Sequence, residues 1–443
     1  MAANNNSYST EVLVIGAGAA GLLAARGLAR AGRRVCLVEA QDRIGGRVHT
    51  LGPPGFTQSI EAGAEFMHGE VPLTRALMAE AGITWEEANG ESYLVQGGQL
   101  QAQANYFALL PPLLEKLQAL AHDLPLADFL DREFSGPEYT ALRTFATQFA
   151  EGYDAADPQR VSAWAMRDEW SAGGAQGSLR PVGGYGPLLH WLAAQAQAAG
   201  ALLHLAAPVR EIRWQPGQVE AVTAAGATYR AQQMLCTVPL GVWQRGPQQA
   251  GYLGFVPEVA AHRAAAAQLG FGSVIKIVLE FRTPFWQDRL PELEFLLSDA
   301  AVPTWWSQRP AATPQLTGWL AGPAAQRLVG APNEAVLQLA LASLAPLLAV
   351  SPETLQAQLC ASYVRNWGHE PFAYGAYSYA TVGAGAAQAA LATPVAGTLF
   401  FAGEGTYSGP FAGTVEAALV SGQAVARAML ARPVLAAAPS SVV

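Results

Sequence analysis

An α/β protein with a parallel sheet at its centre is the fold class that the first forty residues of this 443-residue chain predict, on three observations. Residues 11–15 (EVLVI) form an apolar run of strand length that leads into a glycine-rich turn, GAGAAG. A helical stretch follows, LLAARGLARAG, with Leu and Ala at helical intervals and Gly32 as its stop. A second strand, RVCLVE, closes the unit at Glu39. Strand, helix and strand in this order and length belong to a parallel sheet with crossover connections.

Each part of the turn has a mechanical reason. Gly16, Gly18 and Gly21 stand at G-x-G-x-x-G spacing. Gly16 permits the tight strand-to-helix turn, Gly18 lets a pyrophosphate approach the backbone, and Gly21 lets the helix pack against the sheet. Ala20 completes the contacting turn at the start of the helix, whose free N–H groups and partial positive charge suit an anion. Glu39 lies eighteen residues beyond Gly21, at the distance where a carboxylate accepts ribose hydroxyls. A second glycine pair follows. Gly45 and Gly46 allow close backbone approach to a further part of a long cofactor, and Arg47 offers a planar fork for phosphate.

The whole run, GxGxxG…E…DRxGGR, resembles the FAD-binding signature of the flavin amine oxidase and phytoene desaturase superfamily. The resemblance continues in order along most of the chain. Residues 59–69 (SIEAGAEFMHG) resemble the family's segment beneath the flavin, which makes Gly63 and Ala64 cofactor contacts. Residues 180–188 (RPVGGYGPL) resemble its turn into a helix. Residues 208–214 (PVREIRW) resemble the family strand whose first valine meets adenine, which implies that role for Val209, and residues 235–241 (LCTVPLG) resemble a segment that implies Thr237 as a cofactor contact. Residues 269–285 and 367–379 resemble the polyamine oxidase and histone demethylase branch. Residues 400–406 (FAGEGT) and 413–417 (GTVEA) resemble the closing FAD segment, with Gly403, Glu404, Thr414 and Val415 as contacts. Glu404 resembles the acid that holds the ribityl chain.

The resemblance implies a Rossmann-like, glutathione reductase-type FAD-binding domain with a doubly wound sheet, assembled from residues 1–75, 181–268 and 392–443. A second, α+β substrate-binding domain is expected from residues 76–180, a helical insertion, and 269–391, which carries an antiparallel sheet. Residues 100–160 and 300–360 have no clear counterpart.

Residues 271–281 (FGSVIKIVLEF) look like a buried strand interrupted by a lysine. Of 26 basic residues only Lys116 and Lys276 are lysine. Strand alternation puts Val274, Lys276, Val278 and Glu280 on one face. Periodicity by itself admits a half-exposed face with a wet lysine. The two valines and the scarcity of lysine point instead to a site that needs a compact ammonium. By the family resemblance, Lys276 reaches flavin N5 through a water and promotes the reaction of reduced flavin with oxygen.

The same resemblance makes Trp367 and Tyr377 the aromatic faces that receive an amine. A second facing tyrosine, as in monoamine oxidases, is replaced by Thr414. Ala376 stands where monoamine oxidases carry the cysteine that attaches FAD, so FAD is expected to be non-covalent. Glu65, His68 and Glu70 fall in the segment that lines the pocket entrance in relatives, where acidic or imidazole groups would receive a distal ammonium; as solvated loop residues they would have no such task. Residues 60–73 carry no arginine to read a carboxylate. The expected reaction is oxidation of an amine to an imine, its hydrolysis, and reoxidation by O2 to hydrogen peroxide. A flavin desaturase of an apolar substrate and a low-turnover flavin-binding protein are the alternatives.

Composition sets outer bounds. The chain is 51% apolar and 14% charged, in the range of a well-buried globular protein. A net charge of −8 disfavours nucleic acid as a partner and mildly favours a cationic small molecule. Cys36, Cys236 and Cys360 are scattered, with no metal-binding spacing. No apolar run has bilayer length, and neither terminus carries a targeting signal. The expectation is a cytoplasmic protein without a membrane partner, monomeric or homodimeric.

Overall fold

The computed structural model describes residues 7–102, 109–172, 178–409 and 412–431. Its centre is a parallel sheet in the order Leu202–His204, Val35–Val38, Val12–Ile15, Gln233–Cys236, Leu399–Phe401. Apart from the partly exposed edge strand Leu202–His204, these strands are buried and, Gln233 aside, apolar, because both faces of the sheet are covered. Val12, Val14, Leu37, Leu235 and Phe400 face helices Ala19–Arg30, Gly186–Ala198 and Val415–Leu430. Leu13, Ile15, Cys36, Cys236 and Phe401 face the opposite way.

On that second face helices Ala260–Gln268 and Ala384–Ala392 pack together with a small antiparallel sheet. That sheet is the meander Val209–Gln215, Gln218–Thr223 and Thr228–Ala231. Ile212, Val219, Ala221 and Tyr229 supply the covering surface. A meander with one apolar face buries a sheet as well as a helix does, and alternation in a sequence does not say which sheet it will cover.

The turn after Val12–Ile15 shows why its glycines are needed. Gly16 has φ +103°. A Cβ on Gly21 would collide with the Gly16 carbonyl oxygen. The helix begins at Gly18, which gives no side-chain cap, so its first N–H groups remain available. Gly21→Ala is expected to cost about 1–3 kcal/mol through overpacking. A thermal midpoint equal to that of the parent protein would show that the turn relaxes without cost.

A second, seven-stranded sheet runs Leu359–Asn366, Val274–Phe281, Gln315–Ala321, Thr304–Ser307, Leu293–Ser298, Glu91–Gln96, Gln99–Ala102. Its pairs are antiparallel except Leu293–Ser298 with Glu91–Gln96. The last two strands come from residues 76–180, a stretch expected to be helical. The helices of that stretch, Leu126–Glu133, Thr140–Gly152 and Ala163–Ser171, build a separate core around Phe129, Phe145, Phe149 and Trp170. No single described helix is long and apolar enough to cross a membrane.

Val274–Phe281 lies inside the second sheet, between Gln315–Ala321 and Leu359–Asn366, and all eight of its residues are buried. Ile275, Ile277, Leu279 and Phe281 pack with Trp305, Leu316 and Leu344. The face that holds Lys276 is therefore not wet; the lysine is 1% exposed.

Candidate functional site: a cavity between the two sheets

A cavity of about 1650 Å3 extends from the glycine-rich turn to the seven-stranded sheet and the helices of residues 126–171. It starts at the carboxyl end of Val12–Ile15, where ligands of parallel α/β sheets sit. Gly16, Gly18 and Ala20 line its first arm, while Gly21 stands behind them. Glu39 is buried and lines the same arm; its Oε2 accepts the Ala17 N–H at 2.7 Å and its Oε1 accepts the Gln41 N–H at 2.9 Å. Burial raises its carboxyl pKa against the lowering effect of those bonds. Thr237 donates its hydroxyl to the Ile15 and Gly16 carbonyls at 2.9 and 3.1 Å and so fastens the turn. Val209 and Gly46 line the arm beside it.

Arg47 lines the cavity with one nitrogen of its fork, Nη1, engaged by the protein. It donates to Glu404 Oε1 at 2.7 Å and to the Ala376 carbonyl at 2.8 Å. The other oxygen of Glu404 accepts from the Ser378 N–H at 3.3 Å and from the Ser378 hydroxyl. A Cβ on Gly63 would collide with the Arg47 carbonyl, so the cavity wall beside Ala64 is bare backbone. Thr414 caps helix Val415–Leu430 by accepting the Ala417 N–H at 3.2 Å, and with Val415 and Gly403 it points that helix's N-terminus at the cavity.

Lys276 sits further along the wall. Its Nζ donates to Glu65 Oε2 at 2.6 Å and to the Gly63 carbonyl at 3.1 Å, and lies 5.4 Å from the centre of the Trp306 ring. Glu65 is 8% exposed, and its Oε1 accepts from Trp306 Nε1 at 2.9 Å, Arg180 Nε at 3.2 Å and Gln308 Nε2 at 3.2 Å. Although burial opposes it, Lys276 and Arg180 hold the Glu65 carboxyl below the usual carboxylate range. The reading of Glu65 as an entrance acid is corrected here: both oxygens are engaged by protein donors and face the ammonium of Lys276. Glu70 is exposed. His68 contacts the Ser178 hydroxyl through Nδ1 at 3.4 Å, and burial lowers its pKa to about 4, so it is a neutral imidazole at the cavity wall.

Trp367 is buried, donates Nε1 to the Ala62 carbonyl at 2.8 Å and packs against Gly63. Tyr377 lines the cavity with its hydroxyl donated to the Tyr153 carbonyl at 2.5 Å, which leaves its ring, not its oxygen, for a ligand. Next to it lie two carboxyls, Asp154 and Glu169, hydrogen-bonded to each other. Both line the cavity, yet the surrounding protein desolvates them: Asp154 is pushed well up and Glu169 to about 7. Asp154 Oδ2 has no hydrogen-bond partner among the described residues.

A family model for flavin containing amine oxidoreductases matches residues 19–430 of this chain. The chain belongs to that family. The chain is 30% identical to lysine-specific histone demethylase 1B of Mus musculus over 94% of its own length and 52% of the demethylase. It thus spans about half of that relative. It is 28% identical to polyamine oxidase 4 of Oryza sativa subsp. japonica, over 94% of this chain and 88% of the relative. Among solved structures, a putrescine oxidase bound to putrescine superposes with a TM-score of 0.79 at 21% identity, covering 96% of this chain and all of that one. Cyclohexylamine oxidase from Brevibacterium oxydans superposes with a TM-score of 0.77 at 22% identity over 96% of this chain. Both likenesses are of fold.

The family implies a flavin cofactor, and the cavity has room for it. The cavity exceeds the roughly 300–1,000 Å3 of a single small-molecule pocket and keeps bare backbone at Gly16, Gly46 and Gly63. Glu39, the turn 16–20 and the Val415–Leu430 N-terminus are the groups that would hold it. Residues outside the sequence-derived set also shape the cavity. Trp306 and Trp319 lie 5.7 Å apart between ring centres, and Phe66 is 5.5 Å from Trp306. Only the clustering in TWW and GWL hinted at them. Asp154 and Glu169 gave no signal, since YDAAD and RDEW read as solvated runs.

Proposed function

We propose that the protein oxidises a diamine or polyamine at the carbon next to one nitrogen, with non-covalent FAD as cofactor and O2 as final acceptor. The observation that carries this reading is the Asp154–Glu169 pair, two desolvated carboxyls beside Tyr377 with an unpartnered oxygen. Such a pair is poorly stable as two anions and is relieved by a cation placed between them. A substrate whose distal nitrogen is an ammonium supplies that cation. The ring of Tyr377 and the indole of Trp367 orient the reacting end as a flat, neutral amine.

The flavin, when bound, supplies the two-electron acceptor for the hydride equivalent that leaves the substrate α-carbon. The amine becomes an imine, and water cleaves it to an aldehyde and the departing amine. One O2 takes the two electrons with two protons to give one H2O2. In this protein Lys276 sets a buried ammonium on the cavity wall, and a fixed positive charge favours the anion that forms as oxygen is reduced. Ala376 and the absence of cysteine from the cavity lining support a cofactor without a thioether link.

The test is a peroxide assay with diamines, triamines and alkyl monoamines of matched length. Amines with a second cationic nitrogen are expected to react with the higher kcat/KM. Equal rates for a diamine and its monoamine counterpart would remove the ammonium subsite from the reading. A protein that bleaches with no amine would remove the amine oxidase activity itself.

A further inference from the structure

An ammonium has three N–H donors. Lys276 gives one to Glu65 Oε2 and one to the Gly63 carbonyl. The third has no partner among the described residues, and Lys276 lines the cavity. A lysine stem of four carbons is flexible, so something must hold its head in place. Glu65 is built for that task beyond what charge balance needs. Its second oxygen is held by Trp306, Arg180 and Gln308. Arg180 is itself pinned to the Ser307 and Arg309 carbonyls. The carboxylate is thus tied to two strands and a loop and cannot swing away from Lys276.

The charges point the same way. Two cations, Lys276 and Arg180, share one anion, Glu65. Glu61 stands close by, and burial raises its carboxyl pKa to about 7, so below neutrality it adds no second full negative charge. A second carboxyl on the cavity wall, Glu294, faces Arg180, which leaves Glu65 as the anion in contact with Lys276.

We propose that Glu65 is a positioning residue for Lys276: it anchors the ammonium against the cavity wall so that a single N–H is left for whatever occupies the cavity. This rests on the reading of Lys276 as the residue that serves oxygen reduction.

The experiment compares Glu65→Asp, Glu65→Gln, Lys276→Met and the Glu65→Asp/Lys276→Met double variant as purified flavoproteins. Each is reduced anaerobically with dithionite, so that no amine is involved, and mixed with oxygen; the visible flavin spectrum of the oxidised form is recorded as well. Glu65→Asp keeps the charge but withdraws it by one methylene. It is expected to retain flavin and to reoxidise at least tenfold more slowly, the scale set by misplacing one preorganised donor. Its flavin band should shift, and the shift should vanish when Lys276 is already methionine. Glu65→Gln should slow reoxidation at least as much; if it fails to retain flavin, Glu65→Asp decides. Parent-like reoxidation in Glu65→Asp, or equal slowing by that substitution with and without Lys276, overturns the proposal. If Lys276→Met itself reoxidises at the parent rate, the reading of Lys276 fails first; if only the Glu65 variants are parent-like, the positioning role fails alone.

Discussion

Lys276→Met is expected to slow the reaction of the reduced protein with oxygen by about a hundredfold, the effect of losing one preorganised charge at a developing anion. Flavin reduction by amine should change by less than about threefold, because the role proposed for Lys276 lies in oxygen reduction and not in substrate contact. Methionine suits the test. It has nearly the length of lysine, and it leaves Glu65 with Arg180, Trp306 and Gln308 as donors. The stability loss is expected near the lower end of the roughly 3–5 kcal/mol for breaking a buried pair. Arg180 still compensates the remaining anion. Stopped-flow traces of the two half-reactions separate the outcomes. Equal slowing of both would mean that the lysine shapes the whole cavity, and an unchanged oxidative half would remove its assigned role.

What the sequence discloses and what it hides follow the range of the forces involved. The strand, turn and helix of residues 12–30 are local, so their glycine spacing could be interpreted without a partner in view. Lys276 was conspicuous for a compositional reason: a chain that otherwise uses arginine places its one strand lysine among valines and isoleucines. Its counter-charge was not conspicuous. Glu65 lies 211 residues away, and in SIEAGAEFMHG it looks like any loop acid. Only the fold brings the two together, and only then does Glu65 leave the list of free entrance acids. The meander that covers the parallel sheet was hidden for a related reason. Alternation in PVREIRW reveals one apolar face but not which neighbour receives it. Glu91–Gln96 escaped because its alternation is weak and its sheet partner Leu293–Ser298 is about two hundred residues further on.

The carboxyl pair was the least legible element and has the second large consequence. Replacing Asp154 with Asn and Glu169 with Gln together is expected to lower kcat/KM for a diamine by about a hundredfold, within the roughly 2–5 kcal/mol for a desolvated charge that loses its partner. A monoamine of the same length should change by less than about threefold. The pH dependence supplies an independent check. Burial raises both carboxyl pKa values, Glu169 to about 7 and Asp154 well above the ordinary range. Tyr153 and Tyr377 beside them have pKa values pushed up by burial as well, so neither adds a negative charge to the pair. As pH rises through about 7 the pair becomes more anionic, and discrimination for the diamine over the monoamine should rise with it in the parent and stay flat in the double variant. Linkage gives the matching stability effect. The folded state holds these protons more tightly than the unfolded state, so the unliganded protein loses stability as pH climbs from the unfolded carboxyl value toward 7. The double variant escapes that loss. Its thermal midpoint relative to the parent should therefore improve more at pH 8 than at pH 5, and adding diamine to the parent should produce the same improvement. A midpoint difference that does not vary with pH would mean that the two carboxyls are already ionised in the free protein and that the cavity accepts a cation for some other reason.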